Sequence, residues 1–585
     1  MASTTISDHL LFQQSVYKPL SPNQTRLLKI HPCNFPVSLL KCDLITATLH
    51  EETGAIPLDS THPLPYEALS YTWGDPAPTE KIQVNDIPFY ISKNLYIALK
   101  NLRSATKARL LWTDACCINQ QDLAEKAQQV EMMFSIYLKA SKVVVWLGEA
   151  SPAASKIFPL IQQVESGLYD FNEAAEDEEA RAAAQSFIET TPYFRRTWIR
   201  QEVHAASEVQ LVCGPYACSF EDFAVVMDDL LAREQDATNL FDPTRDPTEE
   251  TYRAMMLYIF FKRDCDTYHF PEEEMHNMWF RLIMRSAMYE CSMPQDKVYG
   301  VLGIVAKMTR SGAEEEYAER IDSTVGFPGV DYTKGVARVY QDFVKHAING
   351  SGNLDALSVF VDRESVGEDL PSWAVDLRRN VPRIVVPLEM FDLSAGEAYG
   401  LREQDYQEYG VLRLRGRRLG VIRSTVSPFE NGLERRIRGP HEPRLHSCFS
   451  TREMWEPEKN GDRGMDEAFQ IIQDKCSYNW TTVEPVTTRL YGDADFADFD
   501  PTIHQCHALV SKMAKEGDII VFLCGADVPF VIRRTVDVDE ESYSFLGPAL
   551  LITGTQQRMK KEVFSYSMAR TRDMRGEPLE EFILR

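Results

Sequence analysis

At 585 residues the chain is too long for one hydrophobic core to organise, so two or three domains are expected. Apolar residues at 44% and charged residues at 25% give an ordinary globular balance, which excludes a disordered or fibrous protein. A formal charge of −25 and a pI near 5.0 repel phosphate backbones over most of the surface, which argues against nucleic-acid or anionic-membrane binding outside a local basic patch.

The N-terminal stretch MASTTISDHLLFQQ lacks a basic region followed by an apolar run, and no run in the chain is long enough to span a bilayer. A cytoplasmic location follows as the expectation, with a nuclear one the variant, and the Asn-x-Thr patterns at Asn23 and Asn479 then read as chance. The twelve cysteines show no paired CxxC spacing and are expected as reduced thiols. His504, Cys506 and His507 are the tightest ligand-like cluster, but no fourth partner stands nearby, and no metal is expected. Cys116 and Cys117, if extended, would face opposite ways, one toward a core and one toward solvent.

In chain order, Arg26–Leu49 alternates short apolar stretches with breaks and predicts strands that lead into a first domain; 1–65 is set apart as this lead-in. Tyr66–Tyr71 reads as a buried strand, ended by Trp73-Gly74-Asp75-Pro76, with Pro76 and Pro78 stiffening the loop. Lys81–Ser92 predicts a hairpin turning at Asn85-Asp86, and Asn94–Leu102 has helical spacing. Leu110–Thr113 is a second strand, and its loop DACCINQQD runs into a helix with Asp122 and Glu125 as a capping box. The apolar face of that helix is Leu123, Ala127, Val130, Met133 and Tyr137. Val143–Leu147 is a continuous apolar run suited to a strand covered on both faces, hence to a parallel sheet.

Alternation of strand and helix predicts a layered α/β domain over 66–215. Phe171–Ala184, acidic and alanine-rich, reads as an exposed helix or insertion. Residues 216–370 are expected to be mainly helical, with amphipathic stretches at Phe220–Leu231, Met275–Met288 and Gly335–Ile348. Over 371–585, runs such as VLRLRGRRLGVI and DIIVFLCG predict a smaller β-rich domain.

Four ordered blocks, Tyr66–Asp75 (YEALSYTWGD), Leu111–Gln120 (LWTDACCINQ), Val130–Gly148 (VEMMFSIYLKASKVVVWLG) and Tyr193–Val203 (YFRRTWIRQEV), resemble the fungal heterokaryon-incompatibility (HET) family. Asp296–Gly303 (DKVYGVLG), Pro371–Leu377 (PSWAVDL) and Gly517–Arg533 resemble segments that accompany this domain in larger members. The resemblance implies an intracellular trigger of self/non-self cell death in fungi, acting with other incompatibility proteins and through self-association. The chain has no GxxxxGK[ST] loop, so the nucleotide switch of some relatives is not expected, and neither HExxH nor GxSxG occurs.

The same blocks also resemble, at a distance, a TIR domain: a parallel sheet flanked by helices, whose first strand enters a Ser-containing loop and whose later helix carries Trp-x-x-x-Glu. The segment between Val143–Leu147 and Trp198 is longer and more acidic than a compact TIR domain has. The likeness maps Ser70 to Asp75 and then Trp198 and Glu202 onto a site, with NAD as substrate and no cofactor. Four residues apart on a helix, Trp198 and Glu202 share a face, and a cleft at the carboxyl ends of parallel strands would receive them. Glu202 would be the catalytic carboxylate beside a cationic sugar, and Trp198 or Trp73 would stack on a cationic ring, worth about 0.5–2 kcal/mol. Asp75 would hold a ribose hydroxyl, and Asp114 joins the substrate-binding set. Against this stand plainer readings. Glu202 sits among Arg195, Arg196 and Arg200 and would belong to a surface ion-pair network; Trp198, Trp73 and Trp146 would be packing residues, and Asp114 a loop cap.

Overall fold

A computed structural model describes residues 15–231 with short breaks at 36–37, 51–53, 59–61, 76 and 171–176. It continues, with further breaks, over 283–311, 329–358, 369–378, 408–426, 478–485, 506–552 and 580–585. The first sheet has ten strands: β1 (Gln24–Ile30), β2 (Lys41–His50), β3 (Gly54–Pro57), β4 (Glu67–Tyr71), β5 (Glu80–Val84), β6 (Ile87–Ile91), β7 (Arg109–Trp112), β8 (Lys142–Trp146), β9 (Val209–Cys213) and β10 (Tyr216–Ser219). Their order is β10-β9-β8-β4-β7-β1-β2-β5-β6, with β3 on β2.

The parallel block β7-β4-β8-β9 lies at the centre, joined in register at Glu67↔Leu111, Glu67↔Lys142 and Val143↔Val209. In order of appearance these strands run 2-1-3-4, a doubly wound arrangement whose ligand crevice lies beyond the carboxyl ends of the strands. The sheet as a whole is mixed, because β1, placed before residue 66, pairs antiparallel with both β2 and β7. Strands of the lead-in segment therefore extend the same sheet. Val143, Val144 and Val145 are fully buried, as a central strand covered on both faces requires.

Local chemistry sets the connections. Asn85 and Asp86 both take positive φ, 49° and 64°, so the β5–β6 hairpin turns through a residue pair that tolerates the left-handed region. Helices α1 (Lys93–Leu102), α2 (Asp114–Cys117), α3 (Leu123–Lys139), α4 (Pro152–Glu165), α5 (Glu178–Thr190) and α6 (Ile199–Ala205) fill the crossovers. The expected acidic insertion is thus in part helix α5, while 171–176 lie outside the described residues. Asp122 caps α3 by accepting from the Ala124 and Glu125 amides.

The other half of the expected capping box is absent. Glu125 turns to Arg26, which grips both its oxygens at 2.7 and 2.9 Å and also donates to the Cys117 and Lys18 carbonyls. Glu125 also accepts from the Asn119 amide, so this buried pair fastens the β7–α3 loop to β1. Two further expectations do not hold. Leu123 is exposed, since it begins the helix before the buried stripe, and Cys116 and Cys117 are both buried because one helical turn, not a strand, carries them.

Beyond the sheet, α7 (Phe220–Leu231) matches its expected limits, and α8 (Asp296–Ser311) and a helix at Val336–Ser351 follow; most of Met275–Met288 lies outside the described residues. The C-terminal region forms a second, eight-stranded sheet, in which Leu412–Val426, Ile519–Leu523, Phe530–Thr535, Ser542–Pro548 and Glu580–Leu584 pair around a closed ring. His504 lies outside the described residues, and among those described no group of His, Cys, Asp and Glu is placed to hold a metal. No described helix is long and apolar enough to cross a membrane.

Candidate functional site

A cleft of about 430 Å³ opens where β4 and β7 end. Thr72, Trp73 and Gly74 line it from the loop after β4, Asp114, Ile118 and Gln120 from the loop after β7, and Lys126, Val130 and Met133 from α3. Arg196, Trp198 and Glu202 supply a further wall, and residues 290–293, Asp296 and Tyr332 close it from downstream in the chain.

Glu202 is 2% exposed, which removes the surface ion-pair reading. Of its three neighbouring arginines only Arg196 reaches it, with both guanidinium nitrogens 3.2 Å from the two carboxylate oxygens. Arg195 turns to Glu290, and Arg200 donates to Ser286 and lies over the Tyr289 ring. Ser70, buried on β4, donates to Glu202 Oε2 and shares a 2.7 Å hydrogen bond with the Tyr193 hydroxyl.

Burial raises the Glu202 pKa above the usual carboxylate range, while Arg196 and Ser70 pull against that rise. Burial also works against the Arg196 charge, but the Glu202 and Asp114 carboxylates more than reverse it and hold the guanidinium firmly protonated.

Trp198 precedes the first turn of α6 and its carbonyl accepts from the Glu202 amide, so the indole and the carboxyl do share one face. The indole is half-buried, and its Nε1 donates to Asp296 Oδ2 at 3.1 Å. Trp73, half-buried across the cleft, donates through Nε1 to Asp114 Oδ2 at 2.8 Å. Asp114 also caps its own loop by accepting from the Ala115 amide, so the loop-cap role and the cleft position coexist. Burial raises the pKa of Asp114 and of Asp296 as well. Trp146, by contrast, is a packing residue, fully buried and donating to Asn94.

Four of the six residues expected at the site, Trp73, Asp114, Trp198 and Glu202, meet in the cleft. Ser70 does not line it but stands behind Glu202 as a donor. Asp75 is not brought in; it is exposed and its carboxylate accepts from the Ala77 amide, a local turn role. Sequence reasoning missed Arg196, Tyr193, Lys126, Asp296 and Tyr332. Arg196 is one of three nearby arginines with nothing local to single it out, whereas Asp296 opens the DKVYGVLG block, which was a signal available to be read.

Residues 66–202 match the family model described as heterokaryon incompatibility protein (HET), a span that opens one residue before β4 and closes on Glu202. The chain carries a HET domain. Heterokaryon incompatibility protein 6, OR allele, of Neurospora crassa is 26% identical over 54% of this chain and 52% of its own length. The chain thus spans about half the length of the curated relative it matches. No solved structure matches this chain. The HET domain accordingly contributes the whole β4, β7 and α6 side of the cleft, and Asp296 and Tyr332 stand outside the matched span.

Proposed function

We propose that this is an incompatibility-type protein, a fungal trigger of self/non-self cell death, whose HET domain cleaves the bond between ribose and nicotinamide in NAD. The observation that carries this reading is the buried carboxyl group of Glu202 in a cleft, lined also by two indoles, at the carboxyl ends of parallel strands.

In the reaction, water adds to C1′ of the ribose, the C1′–N bond breaks, and nicotinamide leaves with its bonding electrons; ADP-ribose and a proton are the other products. Positive charge gathers on the sugar, and an ionised carboxylate beside it lowers the barrier. Arg196 and Ser70 fix Glu202 and favour its ionised form against the burial that raises its pKa. Among the described residues Oε1 accepts from Arg196 alone, which leaves it a lone pair to face the sugar. Trp73 and Trp198 offer faces for the cationic ring, and Asp114, which lines the cleft where Asp75 does not, takes the role of holding a ribose hydroxyl.

Inducible expression of the full chain and its Glu202→Ala and Glu202→Gln forms, with cellular NAD and viability followed together, tests the proposal. NAD should fall before death in the wild type and hold steady in both variants; killing with undiminished NAD removes the reading. A second reading, a non-enzymatic TIR-like module that assembles with other incompatibility proteins and with its own copies, draws on the fact that Glu202 is already engaged by Arg196 and Ser70. It expects Glu202→Gln to kill as well as the wild type does.

A further inference from the structure

The cleft has a wall that the HET domain does not supply. Asp296 is the first residue of α8, 6% exposed, and both its oxygens are taken by cleft residues: Oδ2 by the Trp198 indole N–H at 3.1 Å and Oδ1 by the Tyr332 hydroxyl at 2.8 Å. The indole also rests on α8, since a Cβ placed on Gly300 would lie 3.7 Å from its Cδ2 and Cε3 atoms. The segment before α8 is tied to the turn before α6, with Thr197 N donating to the Glu290 carbonyl at 2.9 Å. Tyr332 is anchored from the other side, where the Val330 amide donates to Glu131 of α3 at 3.0 Å.

We propose that Asp296 is a positioning residue that sets the Trp198 indole for ligand, so that the complete cleft is built jointly by the HET domain and by residues 290–293, Asp296 and Tyr332. This rests on the NAD reading for the identity of the ligand, but the geometry it asserts stands apart from it. An aromatic platform stacks well only when its tilt is held, and a hydrogen bond from the indole N–H to a buried acceptor holds it. Asparagine can serve in place of the acid here, its oxygen accepting from Trp198 and its amide donating to Tyr332, whereas alanine can do neither.

The test uses the full chain carrying 15N-labelled tryptophan. The Trp198 indole resonance is the one missing from Trp198→Phe. Slow solvent exchange of that N–H is expected in the wild type and in Asp296→Asn, and fast exchange in Asp296→Ala. In parallel, NAD is titrated into each form. Asp296→Ala should bind about tenfold more weakly, the size of effect expected from losing one hydrogen bond to a buried group, and Asp296→Asn close to wild type. Slow exchange retained in Asp296→Ala, or Asp296→Asn as damaging as Asp296→Ala, overturns the assignment. Should Asp296→Ala fail to fold, Tyr332→Phe, which frees one carboxylate oxygen, is expected to quicken the same exchange, and an unchanged rate counts against us. If wild-type protein binds no NAD, the NAD reading falls and the indole exchange still decides the role of Asp296.

Discussion

Glu202 is a deeply buried carboxyl group, and the Arg196 guanidinium beside it favours its ionised form against that burial. Because burial raises the Glu202 pKa, the ionised form needed beside a cationic sugar is lost as pH falls through a value above the ordinary glutamate pKa of about 4. The acid limb of a pH–rate profile is therefore expected above that value. Arg196→Gln removes the guanidinium that opposes the rise, so its acid limb should move to still higher pH; a limb that stays in place would show that Arg196 does not govern the ionisation of Glu202. The thiols near the cleft are poor nucleophiles by the same physics: burial lifts Cys291 to about 11 and Cys117 to about 12.

Two contacts between elements hold the site in shape. The buried Arg26–Glu125 pair joins β1 to α3 and to the loop that carries Asp114. Glu125→Ala leaves a buried guanidinium without its carboxylate and is expected to cost about 3–5 kcal/mol in chemical denaturation, against well under that for an exposed ion pair. Helix α8 approaches α3 and α6 at Gly303, where a Cβ would come 2.4 Å from Phe134 Cβ and 2.8 Å from Gln201 Oε1. Gly303→Ala should therefore cost about 1–3 kcal/mol and loosen the downstream wall, read as lower melting temperature together with weaker NAD binding. These elements also show what could be read from the chain in advance. The strand at Val143–Leu147, the turn at Asn85-Asp86 and the cap at Asp122 follow from residues adjacent in sequence, and the structure has them. Glu125 was misread because its partner lies 99 residues away on β1, and Cys116–Cys117 because a single helical turn has too few residues to show a period.

Across the whole molecule, the same division holds for the site. Trp198 and Glu202 are four residues apart, so their shared face is legible from spacing alone. Asp296 and Tyr332 are distant in sequence from both; the DKVYGVLG block marks out Asp296, but its meeting with Trp198 and Tyr332 depends on tertiary packing that spacing does not announce. A carboxyl-rich cleft at the ends of the central parallel strands is where the architecture, the match over 66–202 and the proposed chemistry converge. The most direct measurement is nicotinamide release from NAD by the purified full chain, compared with its Glu202→Gln form at equal thermal stability. Release by the wild type and a drop of about 100-fold or more in the Glu202→Gln form are expected. Equal release from both proteins, or none from a wild-type protein that binds NAD, would contradict the proposed chemistry.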